Sequence, residues 1–152
     1  MRRAKSIGFI LILVIAILQF VPSKLPEKVE NNPNDLLANH EVPDSIVTLL
    51  KNSCYDCHSN LTNYPWYSYV APVSWLVGRD TREGRNHLNL SEWESYSIKE
   101  KLKMLTEIAE VVESKEMPMP VYQLMHSSAK LSENERTKLI NWSEHLSDQL
   151  LE

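Results

Sequence analysis

Cysteine occurs twice in this chain of 152 residues, at Cys54 and Cys57, and His58 follows the second directly. Two thiols with two residues between them lie on one turn of backbone. From there both sulfurs reach the two neighbouring vinyl groups of a haem and form thioether bonds, and the histidine that follows is placed under the iron as an axial ligand. The run NSCYDCHSN, residues 52–60, is therefore read as the attachment site of one covalently bound haem c. Cys54 and Cys57 are the anchors and His58 is the proximal iron ligand. Other thiol chemistry suits the surroundings less well. A redox pair of the thioredoxin kind opens a helix in a βαβ setting, and no strand pattern flanks this motif. A disulfide between residues three apart closes a very small loop and stabilises little. A structural zinc site takes four protein ligands, and the chain has no second cysteine pair.

A haem iron held by His58 has a second axial position. Met117, between two helical stretches and followed by Pro118, presents a thioether from a loop whose backbone the proline restricts. Met119 precedes Pro120 and offers the same geometry, and His126 is the rival that makes a bis-histidine site. His87 is a weaker rival. His40 and His145 fall at polar, solvated positions, and Met104 and Met125 fall on apolar helical faces. The residues leave open the choice among Met117, Met119 and His126.

These side chains need helices to hold them. The chain has only three glycines against eight prolines, with 43% hydrophobic residues. That composition disfavours a glycine-rich nucleotide loop or a many-turned sandwich, and favours helices joined at proline-marked bends. Asp44, after Pro43, is expected to cap a helix carrying Ile46, Val47, Leu49 and Leu50, which leads straight into Cys54. A short helix is expected around Ser74–Val77, with Gly78 and Gly84 as turns. Ser97 caps the clearest helix, with Ile98, Leu102, Leu105, Ile108 and Val112 on one face; it must stop before Pro118. Ser132 and Glu135 form a capping box for the last helix, whose apolar face carries Leu139, Trp142 and Leu146. No segment alternates like a strand, so the expected fold is all-α.

The N-terminus reads separately. Arg2, Arg3 and Lys5 precede an apolar run from Ser6 to Val21, the pattern of an export signal, and no A-x-A cleavage site or lipid-accepting cysteine follows it. Residues 1–22 are expected as an uncleaved signal anchor, a single transmembrane helix with its basic end in the cytoplasm. Residues 23–43, with Pro26, Pro33 and Pro43, are expected as a flexible tether, and residues 44–152 as the domain. Without the three basic residues of the anchor, 13 basic residues face 20 acidic ones, a net charge of −7 for the exported part. This disfavours nucleic acid, which is bound by basic faces, and favours partners with basic patches.

Three separated blocks, CYDCHSNLTNYPWYSYVAPVSW, GRNHLNLSEW and MPMPVYQLMHSSAKLSENERTKLINW, resemble the bacterial haem-binding domain family of small exported c-type cytochrome-like domains. The resemblance runs from about Ile46 to Trp142. It implies a small cytochrome c-like helical fold, with Cys54, Cys57 and His58 at the family's attachment and proximal positions and Met117 at its distal one. It also implies that Tyr64, Trp66 and Tyr67 line the haem or its propionate edge, and that Arg85 pairs with a propionate. The family's methionine–proline block usually continues with proline or leucine, where this chain has Met119.

The function expected is that of a carrier of electrons between unidentified redox partner proteins. It would be held by one span in a bacterial inner membrane, with its haem domain in the periplasm. The alternative is a haem peroxidase, or a gas or redox sensor, with a displaceable distal ligand.

Overall fold

The computed structural model describes residues 2–152. Among these residues α-helices make up most of the fold, and no strand occurs. In chain order the helices are α1 (Arg2–Leu18), α2 (Leu36–Asn39), α3 (Asp44–Ser53), α4 (Tyr55–His58), α5 (Val73–His87), α6 (Ile98–Glu113), α7 (Pro120–Met125) and α8 (Glu133–Gln149). Short 3-10 turns stand at Trp66–Tyr69, Leu90–Ser95 and Ser127–Ala129. The all-α expectation holds.

The starts predicted for α6 and α8 form, both as capping boxes, whereas Asp44, expected as a cap, is the first residue of α3 behind Pro43. Ser97 and Glu100 close the start of α6, and Ser132 and Glu135 close the start of α8, each pair exchanging side-chain and backbone hydrogen bonds. The two helices pack on each other through Leu105, Val112, Leu139 and Leu146, all buried. The same core takes Ile46, Leu49 and Leu50 from α3, Leu36 from α2, and Trp93. Trp93 is fully buried. The Lys101 ammonium lies over its ring, 5.5 Å from the centre, where a cation is attracted to the π face. Glu94 holds that ammonium at 2.8 Å.

α5 departs from expectation. It runs for 15 residues rather than one turn, and Gly78 and Gly84 lie inside it. Its buried side is built of small residues, Ser74, Gly78, Thr81 and Gly84, so the hydrophobic period that announces a helix is missing. Small side chains let two other segments come close. A Cβ on Gly78 would stand 3.0 Å from the Lys24 carbonyl oxygen, and one on Gly84 would stand 2.7 Å from that of Cys57. α5 is thus packed between residues 23–43 and the Cys54–His58 turn.

Residues 23–43, expected as a tether, lie along the domain as a strap. Ahead of α2, Pro26 and Pro33 deprive this segment of donors and keep it from making helical bonds, so its carbonyls need partners from elsewhere. Tyr64 donates to the Pro26 carbonyl at 2.8 Å, Arg85 to that of Glu27 at 2.9 Å, and Arg82 to that of Lys24. Further along, Val29 donates to Asn60 and Glu94 donates to Asn34 through the backbone. The strap ends at a buried hub. Asp35 caps α2 by accepting from the Leu37 amide. It also accepts from the Tyr55 hydroxyl at 2.8 Å and the Ser91 hydroxyl at 2.9 Å.

α1 has 17 residues. At the rise of an α-helix that is a length of about 26 Å. A hydrocarbon core is about 30 Å thick. Among the described residues no helix is long and apolar enough to cross a membrane. The span expected over residues 1–22 is therefore a shorter apolar helix. Its end tightens into i→i+3 bonds from Gln19 to Val21, because Pro22 disfavours helical geometry at the residue before it.

Replacing Asp35 tests the hub. Asp35→Ala leaves the Tyr55 and Ser91 hydroxyls and the Leu37 amide without their acceptor. Urea unfolding is expected to show a loss of roughly 3 kcal/mol or more, at about 1–3 kcal/mol for each buried group stranded. A loss below about 1 kcal/mol would mean that water takes over the carboxylate's role.

Candidate functional site

A cavity of about 520 Å³ lies between α4, the second half of α5, α6 and residues 117–122. Cofactor sites run from roughly 300 to 1,000 Å³, so it has room for a macrocycle. Cys54, Cys57 and His58 line it from α4 and its cap, and Met117, Pro118 and Met119 from the segment after α6. Leu50, Leu90, Ile108, Val112 and Leu139 supply apolar walls.

His58 is held by its Nδ1, which lies 3.0 Å from the Gly84 carbonyl oxygen and 3.1 Å from that of Leu88. Carbonyl oxygens only accept, so Nδ1 carries the proton and Nε2 keeps its lone pair. Burial, the largest influence, also lowers the histidine's pKa below its ordinary 6.5, which keeps the ring neutral. A neutral imidazole of fixed tautomer is the form that ligates a metal. The two cysteines are free thiols. Burial, with the neighbouring Cys57, pushes the Cys54 thiol up to about 12, and burial first of all pushes that of Cys57 up to about 11. Such thiols stay protonated near neutrality, which does not suit rapid disulfide exchange.

Met117 is fixed through its backbone. Its amide donates to the Val111 carbonyl at 3.0 Å, and its own carbonyl accepts from Arg136 Nη1 at 3.2 Å. The Met117–Pro118 peptide is cis, and the Gln123 side-chain amide donates to the Pro118 carbonyl. Just past α6, Lys115 adopts the left-handed region (φ 65°), which turns the chain towards the cavity. Arg136 is buried in the first turns of α8 and also donates to the Val112 carbonyl at 2.9 Å. It thus joins the end of α6 to the methionine loop. Sequence reasoning missed it. The one signal was its position, since a cation near a helix's N-terminus opposes the macrodipole and wants a partner elsewhere, here the carbonyl end of α6.

The remaining candidates divide. Met119 and His87 line the cavity, as does Met104, read from sequence as core. His126 does not; its ring stacks on Tyr122 at 3.9 Å and its Nε2 lies 3.0 Å from the Tyr67 hydroxyl. Tyr122 is the residue that reaches the cavity, its hydroxyl donating to Asp56 at 2.7 Å, and burial with that bond raises its pKa. Tyr64, Trp66, Tyr67 and Arg85 stand outside the lining. Tyr64 and Arg85 are committed to the strap, and Arg85 also binds Thr62 Oγ1 at 2.9 Å.

These residues fit a haem: a neutral imidazole, thioethers on a separate segment, two thiols on one turn and apolar walls. The lining supplies carboxylates from Asp56, Asp80, Glu83 and Glu107, but no lysine or arginine. A haem's propionates therefore have no cationic partner in the wall itself.

Two substitutions probe this framework. Gly84→Ala gains up to about 1 kcal/mol in helix propensity. It also drives a methyl against the Cys57 backbone. Overpacking of this kind costs about 1–3 kcal/mol. A lower melting temperature is expected, and a rise would show that the contact yields freely. Arg136→Leu strands the carbonyls of Val112 and Met117 and is expected to cost roughly 2–4 kcal/mol in urea unfolding. Arg136→Lys restores only part, because one ammonium does not reproduce the guanidinium's fork.

Comparison with known proteins bears on the chain as a whole. The family model described as the haem-binding domain matches residues 13–145, a span that takes in the strap as well as the helices. No curated protein matches the chain, and no solved structure does. A match over this share of the sequence, on a chain whose cavity offers haem ligands, shows that the protein belongs to the haem-binding domain family.

Proposed function

We propose that the protein is a membrane-anchored, periplasmic c-type haem protein that carries electrons. One haem c is attached through Cys54 and Cys57, with His58 and Met117 as its axial ligands. The observation that carries this reading is the meeting, in one cavity, of the Cys54–His58 turn with Met117, which lies beyond two further helices in the chain. When bound, the haem supplies an iron that gains and loses one electron, and His/Met ligation raises its potential.

The chain's own residues prepare that exchange. The carbonyls of Gly84 and Leu88 hold His58 in the ligating tautomer. Arg136 and the Val111 carbonyl fix the backbone of Met117, so the ligand loop need not reorganise between redox states. Leu50, Leu90, Ile108, Val112 and Leu139 would pack against a bound haem and exclude water from the faces they cover. His126, committed to Tyr122 and Tyr67, is a poorer distal candidate than either methionine. The basic residues Arg2, Arg3 and Lys5 ahead of an apolar helix support a bacterial inner-membrane location with the domain outside. The acidic domain supports redox partners that dock through basic patches.

The full chain, matured in an exporting host, tests the proposal. A haem-dependent stain is expected to survive boiling in detergent and to vanish in the Cys54→Ala, Cys57→Ala double variant. The oxidised spectrum is expected to carry a far-red methionine–iron band that is lost in Met117→Ala and retained in Met119→Ala. The reverse pattern would transfer the ligand role to Met119. A high-spin spectrum with rapid uptake of cyanide or carbon monoxide would assign the site to peroxide or gas chemistry instead.

A further inference from the structure

Two long stretches of the chain, residues 6–23 and 61–78, contain no Asp, Glu, Lys, Arg or His, in a protein of which 24% of residues are charged. In the structure these two stretches meet. The Gln19 side chain, just past α1, binds the Ala71 backbone in both directions, donating to its carbonyl at 3.1 Å and accepting from its amide at 3.0 Å. The Trp75 indole donates to the Val21 carbonyl at 3.2 Å. The end of the apolar helix is therefore clamped to the segment that enters α5.

Both stretches turn apolar surface outward. From Ile7 to Ile17 the large hydrophobic side chains of α1 are exposed on every side of the helix, so no face of it packs on the domain. A helix apolar all round belongs inside protein or inside lipid. Next to its end, Trp66 is 74% exposed, Tyr69 66% and Leu76 48%, with Val70 and Val73 exposed beside them. Tryptophan and tyrosine are the side chains favoured at the membrane–water boundary, where the ring is buried and the polar tip stays wet. The missing charge matters as much as the aromatics. On an acidic domain, carboxylates would be repelled by an anionic leaflet and costly to dehydrate, and the two stretches that carry this surface contain none.

We infer that Trp66, Tyr69, Val70, Val73 and Leu76 form a membrane-contact surface that seats the domain on the bilayer entered by α1. The inference rests on the reading that α1 lies in that membrane, and deepens it. The domain is docked on the lipid in a set orientation, not swinging on a tether. Such seating also answers the shortness of α1. A helix of about 26 Å in a core of about 30 Å is accommodated when its flank dips into the interface, as amphipathic surfaces do by about 5–10 Å.

The test uses the full-length, haem-loaded protein in phosphatidylcholine–phosphatidylglycerol vesicles. The vesicles contain a phospholipid with a photoactivatable diazirine at the headgroup end of an acyl chain. After illumination, mass spectrometry of the peptides is expected to find lipid adducts both on α1 and on residues 66–76. In the Trp66→Glu, Tyr69→Glu variant, both positions being exposed, the adducts on residues 66–76 are expected to disappear. Those on α1 and the haem spectrum stay unchanged. Adducts on α1 alone in the unaltered protein would overturn the docking surface while leaving the anchor intact. Adducts on neither would overturn both. Covalent protein dimers through residues 66–76, in place of lipid adducts, would give this face to a second copy and overturn the inference as well.

Discussion

The site depends on how closely α5 approaches the Cys54–His58 turn, where Gly84 lies against the Cys57 carbonyl with no room for a Cβ. From that contact the His58 ring reaches the carbonyls of Gly84 and Leu88 at the end of α5. A side chain on Gly84 would push the helix away, and the Nδ1 bonds that select the histidine's tautomer would lengthen. Packing and the state of the histidine are thus one constraint. The helix that supports the histidine must be smooth on its inner side, and α5 is smooth there because Ser74, Gly78, Thr81 and Gly84 share that side.

The opposite wall is secured by different means. Met117 sits where α6 has ended and α7 has not begun, so its backbone groups have no helical partners of their own. The Val111 carbonyl and the Arg136 guanidinium provide them, and Arg136 also satisfies the Val112 carbonyl. The strap, which passes α5 at Gly78, poses the same accounting problem. Its proline-interrupted carbonyls are taken up by Tyr64, Arg82 and Arg85. Two residues whose family resemblance assigned them to the haem are thereby occupied in holding the strap. Through the strap and the Gln19–Ala71 clamp, the apolar N-terminal helix, α5 and the cavity form one connected frame. In the proposed carrier, that frame gives the haem a set position relative to the membrane.

Much of this was legible from residues alone. The Cys54–His58 motif, the Met117 loop, the helix caps at Ser97 and Ser132 and the all-helical class follow from local rules of spacing, capping and proline geometry. Local rules act within a few residues, and these features do too. The length of α5 was not legible, since a helix buried by small residues carries no hydrophobic period. The strap was not legible either, since a proline-rich segment looks the same whether solvent or distant side chains satisfy its carbonyls.

By itself, then, the sequence determined which side chains are available to bind haem and that helices would carry them. Only the tertiary structure decided which of them share a cavity. It brought Met117 and Met119 to His58, kept His126 behind Tyr122, and turned Tyr64 and Arg85 to the strap. Those choices depend on contacts between segments remote in the chain. The free energy of such contacts is set by which surfaces meet, and no window of sequence contains both partners.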